Sequence, residues 1–560
     1  MDNYAIADNF SLLAKLMDIH GDNPFKAKSF ANAAFQIEKL TVQLKETTPN
    51  DIFRIKGIGE STGKSVLEML ATGRSAILDE YIGKTPAGIL EMMRIKGLGP
   101  KKIATIWKEM EIEDLGELLY ACNENRLLLL KGFGQKTQES IRQSIEFFLS
   151  NRERFLYAEV VSFAQQLESA LQKLFAPAQV ALSGSFRRNQ PVIDELDVVI
   201  AAGPVTILDK VKDLQGLTIL ENTDSTVIVR HDHGVKVTLH GAAPQWFAQQ
   251  LFITTGTAAF LDSFYAIAGR DVLTGVSSEE EIFAKAGMQF IAPCLREGGD
   301  IIERAKNQQL PVLIDVKDIK GIVHSHSQWS DGLESLETMA ATAKEKGFEY
   351  LVISDHSRSA FYANGLSIER IMAQHQQIDE LNARLAPFKI FKSIEADILN
   401  DGSLDYPDEV LKTFDLVIAS VHSNLKMPQE KAMARLLKAI SNPYTTILGH
   451  MTGRLLLSRN GYPVDHEAII DACVENNVTI ELNAHPRRLD IDWQWISLAI
   501  SKGALLSIDP DAHAISGYND IYYGTLAGQK GGMSKADNLS SFSLDELEAF
   551  LAKRRALKNI

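Results

Sequence analysis

Cysteine is nearly absent from this chain. The three thiols, Cys122, Cys294 and Cys473, stand far apart and in no paired motif. A disulfide framework is therefore not expected, and a reducing, cytoplasmic setting fits. Long hydrophobic runs are missing too. No apolar stretch approaches the roughly 18–20 residues needed to span a bilayer, so no membrane partner is expected. The opening residues, MDNYAIADNFSLLAKL, lack the basic segment and small-residue cleavage site of a signal peptide. Positive charge is also in deficit: the net charge is -14, which taken alone argues against nucleic acid as a partner. The deficit is uneven, however. Basic and acidic residues balance over residues 1–155, and the whole excess of acid falls in the remainder. A carboxylate-rich metal domain would produce such an acidic remainder, and a neutral first part can still hold a polyanion if its lysines cluster. What is present in ordinary measure is globular material, 45% hydrophobic and 23% charged. At roughly 100–200 residues per domain, the length suggests about three to five domains.

One short element recurs three times in the first 150 residues. It reads Ile55-Lys56-Gly57-Ile58-Gly59, Ile95-Lys96-Gly97-Leu98-Gly99 and Leu130-Lys131-Gly132-Phe133-Gly134. Each copy lies between apolar helical stretches, and basic residues follow closely: Lys64, then Lys101 and Lys102, then Lys136. The pattern resembles the helix-hairpin-helix. Its glycines permit a tight left-handed turn, which aims backbone N–H groups at the start of the next helix toward an anion. A single such turn reads as a helix C-cap; three with the same Lys-Gly-apolar-Gly core read as sequence-independent contacts to DNA phosphates. Gln36 and its polar neighbours carry no such signal.

Residues 180–200, VALSGSFRRNQPVIDELDVVI, read as a strand, Gly184-Ser185, two arginines and a second strand. Residues two apart on a strand share a face, so Glu195 and Asp197 point together and could hold one metal, while Asp194 faces away. The stretch resembles the palm of DNA polymerase family X, a nucleotidyltransferase fold with the pattern G-S-x-R-R-G followed by G-D-x-D. The resemblance places Gly184, Ser185 and Arg188 at nucleotide-binding positions. The departures fall on the chemistry. Glu195 replaces the first aspartate. Thr238, in Val237-Thr238-Leu239, stands where the third carboxylate belongs. Asn189 replaces the last glycine of the arginine motif, and Phe260-Leu261 replace a His-Asn pair after Thr255-Gly256-Thr257. Two ions roughly 4 Å apart need that lost charge. A Mg²⁺ or Mn²⁺ pair is therefore not expected to be held well, and the polymerase site reads as degenerate. EEEIFAKAGMQFIAPCLRE, residues 279–297, resembles the thumb-like end of the same module. The lysine used by lyases of the family falls on Ser65, beside Lys64, so no lyase is expected.

From residue 318 short apolar runs alternate with helical stretches. The runs are KGIVHSH, YLVISDH, KIFKSIEAD, LVIASVHS, TTILGHMT, VTIELNAH and ALLSIDPDAH. Nearly all end in His, Asp or Glu. Parallel β/α barrels place working side chains at the C-terminal ends of their strands, and buried strands have little reason to end repeatedly in imidazole unless those ends converge. The candidate ligands are His324, His326, Asp331, His356, Glu395, His422, His450, Asp511 and His513. Imidazoles and carboxylates suit Zn²⁺, Mn²⁺ or Fe²⁺, ions that activate water against phosphorus without a protein nucleophile. His375, in a helical stretch, and His466, in a polar one, read as structural. His485 is open.

The region from about Asp318 to Lys535 resembles the PHP (polymerase and histidinol phosphatase) domain, a distorted (β/α)7 barrel. The carrying motifs are His324-Ser325-His326, Ser330-Asp331-Gly332, Ser354-Asp355-His356, Glu395-Ala396-Asp397, Ser420-Val421-His422, Gly449-His450 and Asp511-Ala512-His513. Ile322 and Met451 depart from the usual neighbours, yet no ligand position is lost. The resemblance implies three divalent ions. The first takes His324, His326, Glu395 and Asp511; the second takes Glu395, His422 and His450; the third takes Asp331, His356 and His513. Arg488 matches a family arginine expected at a substrate phosphate.

Hairpins, palm, thumb and PHP barrel in this order resemble the bacterial and archaeal family X DNA polymerases with a C-terminal PHP domain. The expected architecture is multidomain α/β. It comprises a helical DNA-binding domain with the first hairpin over 1–80, a fingers-like region with two hairpins over 81–150, a palm over 151–240, a thumb over 241–315 and the PHP domain over 318–560. The implied activity is a metal-dependent 3'–5' exonuclease of base excision repair; some members also cut abasic sites or remove 3' phosphates. The implied partner is gapped, nicked or 3'-ended DNA, with a deoxynucleoside triphosphate as a further candidate ligand and a monomer as the expected state. A working gap-filling polymerase, a small-molecule phosphatase and a non-catalytic DNA scaffold remain the alternatives.

Overall fold

The computed structural model describes residues 1–560 apart from 41, 151, 152 and 233, and apart from the side chains of 129 and 150. It divides into two compact units, Met1–Arg152 and Glu153–Ile560. The boundary expected at 150/151 adjoins residues outside those described.

The first unit is helical. Helices Asn3–His20 and Pro24–Glu38 are started by Asp2 and Asn23, whose side chains accept backbone N–H groups of the first turn. Between them Phe10 meets Phe30 edge to face at 5.0 Å. The three repeats form three near-identical turns. Ile58, Leu98 and Phe133 donate their backbone N–H groups to Ile55, Ile95 and Leu130 at 3.0, 3.1 and 3.2 Å. Gly57, Gly97 and Gly132 sit at φ +90°, +92° and +91°, where a side chain would be strained. The apolar residue between each glycine pair is an anchor: Ile58, Leu98 and Phe133 are buried. Helices Glu60–Thr72, Pro100–Met110 and Gln135–Ser150 follow. The helical stretch before the third turn is a short 3-10 helix, Arg126–Leu129.

The second unit carries the sheets. Strands β1 (Phe155–Leu156) and β3 (Val192–Ile193) form a small antiparallel pair. A five-stranded sheet runs in the order β2 (Val180–Ser183), β4 (Leu196–Ile200), β7 (Lys236–Gly241), β6 (Thr226–His231), β5 (Leu217–Asn222). Its β4–β7 pairing is parallel and aligns Asp197 with Thr238. Asn189 adopts φ +56°. It keeps the left-handed turn of the missing glycine because asparagine tolerates that region best among larger residues.

Seven strands then follow in order: β8 (Gly321–Ser325), β9 (Tyr350–Ile353), β10 (Lys389–Asp397), β11 (Leu416–Ser420), β12 (Thr445–Leu448), β13 (Thr479–Asn483) and β14 (Leu506–Asp509). Each pairs in parallel with the next. The rim closes where Ser325 bridges Ala512: His326 N–H donates to Ala512 at 2.8 Å, and Ala512 N–H to His324 at 3.2 Å. The strands are buried along their length because helices cover their outer faces. At the opposite end Leu547 and Leu551 of the helix Leu544–Lys558 pack on Val323, Phe391, Ile418 and Ile447. That leaves the C-terminal rim as the open face. No helix is long and apolar enough to cross a membrane among the described residues.

Candidate metal centre

The expected ligands gather on that rim. Ligand atoms of His326, Asp331, His356 and His513 lie within 4.8 Å of one another, as do those of His324, His326 and Asp511, and those of His356, Glu395 and His422. Glu395 is the hub. Its Oε1 lies 3.0 Å from His450 Nε2, 3.1 Å from His422 Nε2 and 3.4 Å from His324 Nε2, and its Oε2 lies 2.9 Å from His356 Nδ1. Asp511 Oδ1 lies 3.1 Å from His326 Nε2 and 3.5 Å from His324 Nε2. Asp331 approaches His356 and His513 at 3.6 and 3.5 Å. The grouping differs in detail from the expected ligand sets, because His326 lies close to the Asp331 group and His356 turns Nδ1 toward Glu395.

The backbone concentrates strain here. His324 and Asp511 adopt φ +59° and +52°, a region that residues other than glycine leave unless the surroundings hold them. Both flank the Ser325–Ala512 bridge that closes the barrel, so closing the rim and aiming these side chains are one event.

The donor set fits divalent ions. His324 Nε2, His326 Nδ1, His356 Nδ1 and Glu395 Oε2 are buried without an aligned hydrogen-bond partner among the described residues. Buried polar atoms are costly when unpaired, and all four belong to residues of the three ligand groups. Electrostatics carry the same message. Burial opposes charge on His324, yet Glu481, Asp511 and Glu395 outweigh it and hold the imidazole well above its ordinary 6.5. Against the same burial, Glu395 and Asp397 push His422 up to about 10, and Asp331 and Asp511 push His513 up to about 9. Burial, with His513 and His356 beside it, pushes His326 down to about 3. Five carboxylates hold protons on some imidazoles of the cluster while neighbours repel them from others. Metal cations would replace those protons.

Several working residues escaped the sequence reading. Glu481, on β13 and fully buried, lies 2.5 Å from His324 Nδ1 and accepts the His450 N–H at 3.0 Å. Asp397 contacts His422 Nδ1. Each makes the carboxylate–histidine pair that fixes an imidazole's orientation toward a metal. Asp355, wholly buried, accepts from the backbone and hydroxyl of both Ser327 and Ser330 and from Gln374, and so ties down the loop bearing Asp331. A buried acid inside a strand was the available signal for Glu481; Asp355 and Asp397 stand inside motifs already quoted. Arg488 Nε lies 3.6 Å from Asp511 Oδ2 at the edge of the cluster. His485 Nδ1 accepts the Arg487 N–H at 3.2 Å and joins none of the three ligand groups. His375 packs on Phe414 and His466 stacks on Trp495, and neither joins the three ligand groups.

Glu195 and Asp197 also gather partners, but from the protein itself. Lys236, Thr238 and His240 alternate along β7 and so share a face. Lys236 Nζ lies 2.9 Å from Glu195, Thr238 donates to Glu195 at 3.0 Å, and His240 Nε2 lies 2.8 Å from Asp197. Gly184, at φ +61°, is required by Asp197: a Cβ there would stand 1.9 Å from its Oδ2. Arg188, beside Ser185, is engaged internally, with Nε 2.9 Å from Glu297 and a terminal nitrogen donating to the Thr255 carbonyl at 2.7 Å. Lys530, from the barrel's last crossover helix, joins the same Glu297.

In the first unit, the side chains that follow the turns face water. Lys101 and Lys136 are exposed; Lys64 pairs with Glu60 at 2.7 Å in solvent; half-buried Lys102 donates to the Gly97 carbonyl at 3.1 Å. Gly59, Gly99 and Gly134 open the following helices, and the Gly59 N–H is taken by the Thr62 hydroxyl at 2.9 Å.

Three family models match. Residues 1–75 match a helix-hairpin-helix domain, 89–146 a SAM-like helix-hairpin-helix tandem, and 323–485 the PHP domain. The chain is similar to the "DNA polymerase/3'-5' exonuclease PolX" of Bacillus subtilis (strain 168), 34% identical over 560 residues that cover 97% of this chain and 98% of that protein. Within the barrel it is similar to a probable phosphatase of Caldanaerobacter subterraneus subsp. tengcongensis, 27% identical over 29% of this chain and 62% of that protein. It is also similar to one of Clostridium acetobutylicum, 38% identical over 18% of this chain and 43% of that protein.

Proposed function

The chain belongs to the PolX family, the family X DNA polymerases with helix-hairpin-helix and PHP domains, and on that premise we propose that it is a DNA end-processing enzyme of base excision repair whose barrel acts as a 3'–5' exonuclease. The observation that carries this reading is the convergence of His324, His326, His356, His422, His450 and His513 with Asp331, Glu395 and Asp511 on the barrel's open rim, with buried ring nitrogens unpaired.

We assign three divalent ions, of the Mn²⁺, Zn²⁺ or Fe²⁺ class, to the ligand sets named from the sequence, with Glu395 shared between the first two. When bound, such ions neutralise charge at phosphorus and acidify the attacking water. The chain's own residues do the rest. Glu481 and Asp397 orient His324 and His422, Asp355 holds the Asp331 loop, and Arg488 meets a phosphate oxygen. The hairpins hold the DNA backbone through Gly57, Gly59, Gly97, Gly99, Gly132, Gly134 and the lysines beside them, without reading sequence. The substrate is a gapped, nicked or 3'-ended DNA, and the protein works as a cytoplasmic monomer.

The palm and thumb serve in DNA binding and synthesise little or nothing. Glu195 is paired with Lys236, Asp197 is held by the His240 ring nitrogen, and Arg188 is held by Glu297. The similarity to probable phosphatases favours a second substrate, the 3'-terminal phosphomonoester.

A 5'-labelled primer on a gapped template tests these readings, in Mn²⁺ and in Mg²⁺, with and without nucleotides, beside a His324→Ala/His326→Ala variant. Metal-dependent shortening that the variant loses supports the nuclease. Lengthening by added nucleotides overturns the inactive palm, and hydrolysis of free phosphomonoesters with none of DNA overturns the nuclease.

A further inference from the structure

The loop between β9 and the helix Ile368–Leu385 holds two aromatic rings in water beside the metal cluster. Phe361 is 86% exposed and Tyr362 64% exposed, although Ala360, Ala363 and Leu366 around them are buried. Apolar surface left in water forgoes the gain of burial, and adjacent exposed rings mark a contact site more often than single ones do.

The loop is firmly tied. Arg358 N–H donates to the Tyr406 hydroxyl at 3.0 Å, Ser359 N–H to Asp405 at 2.6 Å, and the Arg358 guanidinium to the Asp405 carbonyl at 2.8 Å. On the far side Leu366 N–H donates to the His356 carbonyl at 2.9 Å, and Arg370 grips the Asn364 carbonyl at 2.7 Å. Gly365 passes so near Ser357 that a Cβ would lie 1.9 Å from its carbonyl oxygen. The two rings stand edge to face, 6.1 Å apart at 77°. The Tyr362 ring is 6.5 Å from that of His356, and its hydroxyl feels the charges of Asp397, Glu395, Asp331 and Arg488.

A rigid pair of exposed rings next to a phosphoester-cleaving cluster suits one kind of occupant. Every base has a π-face, so stacking on an aromatic holds a strand without choosing its sequence. A base already paired in a duplex is stacked on its neighbour and less free to move there. Building on the nuclease reading above, we propose that Phe361 and Tyr362 form the platform on which the unpaired terminal base of a DNA 3' end stacks while its last phosphodiester lies in the metal cluster. The platform then favours frayed or mismatched 3' ends over paired ones.

The test is a cycle between ring and base. The substrates are single-stranded oligonucleotides ending in a normal nucleotide or in an abasic residue, and the variants are Phe361→Ala/Tyr362→Ala and the ring-keeping Phe361→Trp. Both rings lie in solvent, so the variants fold. With a normal terminus the double alanine variant raises KM roughly 5- to 150-fold, the range of losing one base stack. With an abasic terminus its penalty disappears, because the partner is already gone. Phe361→Trp keeps a stacking face and raises KM less than the double alanine variant does. An equal penalty on both substrates, or none on either, overturns the proposal. A second readout separates this inference from the nuclease reading. An oligonucleotide with a 3'-terminal 2-aminopurine and a phosphorothioate last linkage is mixed with wild type and variant. Quenching by wild type that the double alanine variant loses supports the platform even if no cleavage is found, and identical quenching by both refutes it even if cleavage is found.

Discussion

Glu481→Gln changes one oxygen to an amide nitrogen at a site that solvent does not reach. The carboxylate now serves two sides. Oε2 lies 2.5 Å from His324 Nδ1, and Oε1 accepts the His450 N–H at 3.0 Å and the Asn483 amide at 2.8 Å. Its charge keeps a proton on His324 Nδ1 and so leaves Nε2, which faces Glu395 and Asp511, as the nitrogen that would meet a metal. The amide carries two donors and no charge, so one end must place N–H against N–H whichever way it turns. The charge-assisted bond to His324 is worth about 1.5–3 kcal/mol, or roughly 10- to 100-fold in metal affinity, the range found when a metal-bound histidine loses its carboxylate. Competition against a chromogenic chelator at fixed pH measures the loss directly. The metal-free variant stays folded, because glutamine has the shape of the glutamate it replaces in this buried site. Far-UV circular dichroism checks that point. A variant that is folded and binds metal within twofold of wild type would show that His324 is aimed by the backbone alone.

Three further outcomes follow from the same geometry. In the metal-free protein His422 and His513 hold their protons up to about 10 and about 9. The stabilisation they give is full below their unfolded value near 6.5 and is lost as pH rises through those folded values. Metal must displace these protons, so affinity rises with pH between about 6 and 9; calorimetry in buffers of different ionisation enthalpy should detect proton release, and a pH-independent affinity would contradict it. Thr238→Asp adds the missing palm carboxylate but leaves Lys236 and His240 on Glu195 and Asp197, so primer extension should stay absent in Mg²⁺ and Mn²⁺; brisk extension would mean that the missing anion was the whole defect. Lys101→Ala with Lys136→Ala should lower the slope of log affinity against log salt by roughly 1 for each phosphate left without its lysine; an unchanged slope would place the DNA elsewhere.

The sequence determined the parts whose signal is local or periodic. Each hairpin turn needs left-handed backbone within a few residues, so Gly57, Gly97 and Gly132 announce it. The seven parallel strands are short apolar runs, and because their C-terminal ends must meet on one rim, nine candidate ligands could be named from residue type and position, and the structure gathers them there. Glu195, Thr238 and Asn189 showed as departures from the family pattern. Tertiary structure decided what depends on pairing between distant segments. Glu481 lies within a buried strand and acts only because β13 passes beneath His324. Lys236 and His240 read as the polar face of a strand until the parallel β4–β7 register set them against Glu195 and Asp197. Lys530 and Glu297, which hold Arg188, are more than 200 residues apart in the chain. Phe361 and Tyr362 carry no pattern at all, and only the folding of their loop against β10 and the Tyr406 hydroxyl puts the rings beside the metal cluster. A ligand to a metal announces itself by its chemistry, whereas a residue that orients a ligand, neutralises a charge or offers a surface is defined by what it touches, and contact is fixed by the fold.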